Sequence, residues 1–410
     1  MNGKIKILIS VMAAMALLMG AAAVFYYTTQ SYLVLSGEEN VTIGLYGVYE
    51  DAGVKAKHNG KNALDDVVVT GDVDTSVPGI YTLKYALGTM SVTRTVTVLE
   101  EMNPAIFLEE LDEAENTFKL GDEFREPGYS ASDEYGNDIT DRVQVTGTDI
   151  NKAGENIIEY TVSDDNGNTT CVSRSVNVEA NTDYDTAGIA ICMYHYVYDE
   201  EDPPEDLNKR YGNYISTEAL EEELKWLNDE GYYYPTWEEV RAYINGELIL
   251  PEKSVVLTFD DGAVSFLEKG IPLLEKYQVP ATCFMITSKN GEEKIAKYSS
   301  EYVTYESHSD NMHRAGGYVG HGGIFTAISY DDGMADLEKS IEICGSGDAF
   351  AYPYGDYNDS SKAMVEDAGF LCAVTTEYGR ARPGNDPLLL PRMRMYNGQS
   401  LAAFIAMVSP

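Results

Sequence analysis

The sequence predicts an exported chain in three parts: an amino-terminal membrane-spanning helix, two small all-β sandwiches, and a carboxyl-terminal β/α barrel. Three observations predict it. An uncharged apolar run of 21 residues, Ile7 to Tyr27, follows Lys4 and Lys6. A pattern of residues typical of short strands then occurs twice, at an offset of 75 to 80 residues. From residue 187 onward, apolar strands alternate with amphipathic helices.

Residues 1–30 are read as a short cytoplasmic tip and an anchor. A 21-residue apolar run is long enough to cross a bilayer as one helix. Lysines precede it and no Lys or Arg follows until Lys55, which puts the amino terminus inside and the remainder outside. Gly20-Ala21-Ala22-Ala23 also offers small residues to a signal peptidase, so a cleaved leader stays open beside the anchor. The length of the run, beyond the ~7–15 residues of a signal core, favours the anchor. The expected location is the cell membrane, single-pass with the catalytic part extracellular, or secretion if the leader is cut.

Two modules follow, at 35–100 and 104–180. Val69-Thr70-Gly71, Pro78-Gly79, Tyr85 and Arg94-Thr95-Val96-Thr97-Val98 return as Val145-Thr146-Gly147, Ala153-Gly154, Tyr160 and Arg174-Ser175-Val176-Asn177-Val178. That period is too long for a solenoid and suits a small sandwich. Alternating runs such as Tyr81 to Tyr85 and Ile157 to Val162 read as half-buried strands between Gly, Asn and Asp turns. The second copy resembles the bacterial immunoglobulin-like modules of surface proteins. It serves either wall or glycan attachment or a passive stalk. Asp164 to Asn168 lacks the spacing of a dedicated calcium loop and reads as a hairpin turn.

In the last part, 187–410, Ile189 to Val197 reads as a strand and Thr217 to Asp229 as a helix with Leu220, Leu224 and Leu227 on one face. Thr236 and Glu239 make a capping box for the next helix. Helices over Ser265 to Tyr277, around Met334, Leu337 and Ile341, and over Asn358 to Ala368 alternate with strands at Ser254 to Phe259 and Ala281 to Ile286. Such alternation gives a parallel, closed or nearly closed sheet with its chemistry at the carboxyl ends of the strands.

Charge and cysteine content narrow the function classes. A net charge of −38 excludes nucleic acid as a partner, because phosphate binding needs clustered cations. Five cysteines without CxxC spacing suggest buried thiols, with no zinc knuckle and no disulfide framework.

The chemistry concentrates at Ser254 to Gly262, where an apolar strand delivers Asp260 and Asp261 onto a glycine turn. Adjacent residues at a strand end point different ways, so one carboxylate can hold a metal while the other moves protons. His308 and His313 supply imidazoles in a chain with only five histidines. Asp261 with these two makes a plausible N,N,O metal site with open positions.

Thr258 to Gly262, His308-Ser309 with His313, and Phe350 to Asn358, in that order and opened by Met193-Tyr194-His195, resemble the motifs of the polysaccharide deacetylases, the NodB-homology or carbohydrate esterase family 4 group. The resemblance covers roughly 187 to 410. It implies metal-dependent removal of acetyl groups from N-acetylated sugars on a distorted, incomplete β/α barrel. Asp260 would be the base and His195 the acid, with a structural His as the competing reading of His195. Tyr354 and Pro353 would contact substrate, Tyr354 through its backbone N–H at the oxyanion. Zinc is the expected ion, with cobalt, nickel or iron also accepted by such a ligand set.

The departures from the family pattern are informative. The histidines are five apart, which on a helix rotates roughly 140°, so they belong on a strand-to-loop segment. Ala351 stands where the family usually has Arg, and no histidine follows His321. The branch acting on poly-N-acetylglucosamine shares these features. Arg392 is the candidate to support Asp260, a surface Arg being the alternative. His321 and His58 read as loop residues. Trp237 and Tyr232 to Tyr234 could stack on sugars or fill the core. The expected substrate is wall peptidoglycan or poly-N-acetylglucosamine. A catalytically impaired glycan-binding surface protein and an O-acetyl esterase are the alternatives.

Overall fold

The computed structural model describes residues 30–99, 103–110, 117–165 and 167–410. The expected anchor, 1–30, lies outside the described residues except for its last position. Among the described residues no helix is long and apolar enough to cross a membrane. The chain divides into two compact units, one all-β and containing most of 30–174, the other containing Ser175–Pro410.

In the first module a sheet of Tyr32–Leu35, Val54–His58 and Lys61–Asn62 faces a four-stranded sheet of Asn40–Gly44, Met90–Leu99, Gly79–Leu87 and Val68–Thr70. Leu33, Val54 and Ala56 from one sheet pack on Leu83, Tyr85 and Leu87 from the other. The alternating sequence of Tyr81 to Tyr85 is therefore a real inside-outside strand pattern. The second copy repeats the plan with the pair Ala105–Leu108 and Tyr129–Ser132 and a four-stranded sheet. Asp164 N–H donates to Asn168 O at 3.0 Å, the closing bond of the expected hairpin turn.

The repeat has a chemical core. Arg94 is buried against Tyr85, its guanidinium 5.9 Å from the ring centre, and pairs with Asp51. Arg174 lies 5.8 Å from the Tyr160 ring and 3.7 Å from Glu126. Each arginine also donates to backbone carbonyls, Arg94 to Glu38 and Ser36, Arg174 to Glu109. The Val-Thr-Gly copies turn at Gly71 and Gly147, both at positive φ, where a Cβ would strike the carbonyl of Thr82 or Ile157.

The second unit holds a closed ring of seven parallel strands: β1 (Ala190–Tyr194), β2 (Val255–Phe259), β3 (Ala281–Met285), β4 (Val303–Ser307), β5 (Ala349–Ala351), β6 (Cys372–Tyr378) and β7 (Leu390–Arg394). The pairing of Cys192 with Met393 closes the ring, so the barrel, expected to be incomplete, is continuous. Every residue of β1, β2 and β3 is buried, as strands covered on both faces must be, which explains their unbroken apolar runs.

Helices pack outside. In α1 (Thr217–Asp229) the Ser216 hydroxyl accepts from Ala219 N–H, and Leu220, Leu224 and Leu227 face inward. In α2 (Trp237–Ile244) the Thr236–Glu239 capping box is complete. The helix expected from Ser265 contains a wide π turn, Phe266–Gly270, before α3 (Ile271–Tyr277). Phe266 of this turn stacks on Phe259 of β2, ring centres 3.9 Å apart. Later helices are α4 (Gly291–Lys297), α5 (Tyr330–Cys344), α6 (Asp359–Asp367) and α7 (Leu401–Val408).

Asn181 to Thr186 is tied to the barrel unit, since Asn181 N–H donates to Gly246 O and Thr186 bonds Tyr243. One expectation needs correction. Cys171 is exposed, unlike the buried Cys192, Cys283 and Cys372, because it points outward from a strand. Trp237 and Tyr232 are core residues, and Trp237 donates to Thr282 Oγ1 at 3.0 Å. Trp237 and Tyr234 line a separate cavity with the first residues of β2 and β3, away from the carboxyl ends of the strands.

Candidate active site

The carboxyl ends of the barrel strands surround a cleft of about 440 Å³ lined by His195, Asp260, Asp261, His308, His313 and Tyr354 among others. Each strand delivers its residue where the chain leaves the sheet. β1 ends at Tyr194 and supplies His195, β2 supplies Asp260 and Asp261, and β4 supplies His308. Asp261 sits at φ 70°, Ser309 at φ 69° and Tyr354 at φ 64°. Asp261 and Tyr354 line the cleft and Ser309 follows the cleft residue His308, so non-glycine residues in the left-handed region at this rim mark strain held in place by the surrounding barrel. The Asp-Asp-Gly segment is thus no solvated turn: Asp260 is 2% exposed.

Asp261 Oδ1 lies 3.7 Å from His308 Nε2 and 3.5 Å from His313 Nε2. Donors around a tetrahedral ion at about 2.1 Å would be about 3.4 Å apart, so the three residues fit a divalent metal. Their ligand atoms all lie within 4.8 Å of one another, and among the described residues no other such cluster occurs. His308 Nδ1 lies 2.7 Å from Ala351 O, which fixes the tautomer with Nε2 free to ligate. The histidines occupy a strand end and the following loop, as their spacing requires. Burial, aided by the neighbouring charge of His308, lowers His313 to about 4 and favours the neutral ligand form.

Asp260 is outside that cluster. Arg392, in β7 and fully buried, donates from Nη1 to Oδ1 at 2.7 Å and from Nη2 to Oδ2 at 2.8 Å. Its Nε donates to Thr375 O at 2.8 Å and Nη1 also reaches Thr258 Oγ1 at 3.1 Å. Burial works against charge on Asp260, yet the Arg392 charge and hydrogen bonds outweigh it and hold the carboxyl well below the usual range. The guanidinium beside Asp260 is thus supplied by β7, not from the position of Ala351.

His195 Nε2 is 3.9 Å from Asp260 Oδ2. Burial lowers its imidazole to about 4 against the pull of both aspartates, and among the described residues its buried Nδ1 has no hydrogen-bond partner. The Tyr354 ring lies 4.3 Å from that of His313, forming one wall. Pro353 is buried, and its neighbours Tyr352 and Gly355 line the cleft in its place.

Sequence reasoning missed several lining residues. Tyr196 donates to Asp261 Oδ2 at 2.8 Å, and Arg210 donates to Tyr196 Oη at 3.0 Å. Arg394, two residues beyond Arg392 on the same face of β7, also lines the cleft. His321, read as a loop residue, reaches the rim because buried Asp356 accepts from His321 N–H at 2.8 Å and Gly323 N–H at 2.9 Å. Asp356 belongs to the third motif, the one signal that could have pointed to this strap. Nothing in the spacing marks Tyr196 or Arg210.

Residues 249–373 match the family model for polysaccharide deacetylases, and 33–98 and 110–178 match that for the bacterial surface protein Ig-like domain. The Bacillus subtilis protein YxkH, named as a polysaccharide deacetylase, is 30% identical over 203 residues, 47% of this chain and 70% of that one. The chain belongs to the polysaccharide deacetylase family. Another member similar to it is the poly-beta-1,6-N-acetyl-D-glucosamine N-deacetylase of Staphylococcus aureus, 28% identical over 204 residues, 45% of this chain and 69% of that one. Among solved structures, the Streptococcus pyogenes deacetylase PplD in complex with acetate aligns with 25% identity over 55% of this chain and 100% of that one, TM-score 0.48. IcaB from Ammonifex degensii aligns at 22% identity over 55% of this chain and 99% of that one, TM-score 0.44.

Proposed function

We propose that this family member is a metal-dependent N-deacetylase acting outside the cell on an N-acetylglucosamine-containing polysaccharide, peptidoglycan or poly-N-acetylglucosamine. The observation that carries this reading is the division of labour between adjacent carboxylates, Asp261 grouped with two imidazoles and Asp260 gripped by Arg392. A divalent ion held by Asp261, His308 and His313 supplies Lewis acidity toward the acetamide carbonyl, zinc being the default and cobalt, nickel or iron alternatives.

Asp260, kept ionised and oriented by Arg392, takes the proton of the attacking water. Its low basicity favours passing that proton on. His195, neutral at rest because it is buried, stands 3.9 Å away to receive it and deliver it to the departing sugar nitrogen. The Tyr354 N–H stabilises the oxyanion, and its ring bounds the acetyl group. The extracellular, membrane-anchored location rests on the uncharged run 7–27 and on the surface-protein class of the two modules.

Acetate release from N-acetylglucosamine oligomers tests the reading. Activity that a chelator abolishes and added zinc restores supports it. Full turnover after exhaustive chelation, or turnover of simple acetyl esters with none of the amide, contradicts it.

A further inference from the structure

We infer that Tyr196 is a positioning residue for the metal ligand Asp261, holding its carboxylate to one-oxygen coordination. The inference rests on the metal-site reading above and goes beyond it. Asp261 offers two oxygens. Oδ1 faces both histidines, whereas Oδ2 accepts the Tyr196 hydroxyl at 2.8 Å. A carboxylate free to pivot can bind an ion through both oxygens and fill a position that water or substrate needs. A short hydrogen bond to Oδ2 opposes that pivot.

Several features hold the phenol to this task. Arg210 donates from Nη1 to Tyr196 Oη at 3.0 Å, which occupies a lone pair and leaves the hydroxyl proton for Asp261. The Arg210 guanidinium also lies 5.6 Å from the ring centre. The Tyr214 ring is 5.1 Å away, and Tyr196–Tyr198 runs parallel to Tyr214–Ser216, with Tyr196 in register with Tyr214. Arg210 itself lines the cleft, which places a substrate-facing cation two hydrogen bonds from the metal ligand.

Tyr196→Phe keeps the ring and its packing and removes only the hydroxyl. Zinc titration of the metal-free full chain against a chelator of known affinity gives the primary readout. We expect affinity to fall roughly 10–100-fold with the melting temperature of the metal-free protein unchanged. The cobalt-substituted variant should show weaker visible absorption, as coordination number rises with a two-oxygen carboxylate. Affinity within about two-fold of the parent and an identical cobalt spectrum would overturn the inference. A parent chain that binds neither zinc nor cobalt would instead overturn the metal-site reading. Should Tyr196→Phe fail to fold, fluorotyrosine placed at 196 alone keeps the shape and strengthens the donor. A changed zinc affinity then supports the role, and an unchanged one overturns it.

Discussion

Arg392 and Asp260 form a buried ion pair whose value is positional. Taking two charges out of water costs several kcal/mol, and only two well-formed hydrogen bonds offset it. Removing one partner leaves the other charged and unpaired. Arg392→Met should therefore lower unfolding free energy by about 3–5 kcal/mol in denaturant titration, and Asp260→Asn added to it should recover part of the loss. Equal losses that simply add would mean the two residues do not depend on each other. His195→Ala should cut acetate release by roughly 10²–10⁴-fold with metal content intact, whereas full turnover would remove it from the proton path. The sequence made Asp260, Asp261, His195, His308 and His313 legible because motif spacing reports strand ends. Tyr196 was invisible, since a tyrosine following a strand histidine carries no spacing signal and its partner is 65 residues away.

Elements carry their own tests. Glu223 on α1 is 2% exposed and accepts the hydroxyl of Tyr194 on β1 at 2.7 Å. Burial pushes its carboxyl from 4.5 up to about 8, with the Tyr194 bond opposing. The folded state then keeps a proton that the unfolded chain releases, so this stabilisation is complete below 4.5 and is lost as pH rises toward about 8. Glu223→Gln should melt higher than the parent at pH 8 and close to it at pH 4.5, read by circular dichroism. Parallel curves would show that Glu223 does not titrate between those limits. In the sandwiches, Gly71→Ala and Gly147→Ala should each destabilise by about 1–3 kcal/mol in a melt, through the collision with a facing carbonyl added to the positive φ. The repeat was legible as a period. Its physical content, an arginine laid over a tyrosine and clasped by an acid, needed coordinates because Asp51 and Glu126 lie outside the repeated strings. The α1 stripe and the α2 capping box were read from the sequence, whereas the π turn before α3 was not, as an apolar helical pattern carries no mark of one wide turn.

At the scale of the whole molecule, the barrel class followed from alternating strands and helices, which left it closed or nearly closed; the Cys192–Met393 pairing, joining strands about 200 residues apart, closes it. The charge of −38 argues against nucleic acid as a partner and agrees with the proposed extracellular location, while the cleft presents Arg210 and Arg394. The barrel gathers acids and imidazoles from separate strands at one rim, and the account depends on the ion and the proton having different aspartates. Metal content and acetate release measured side by side on purified Asp260→Asn and Asp261→Asn chains test this most directly. The account predicts that Asp260→Asn retains one divalent ion per chain and loses turnover, and that Asp261→Asn loses both. An Asp260→Asn protein that is metal-free, or an Asp261→Asn protein that keeps its ion and its activity, would contradict it.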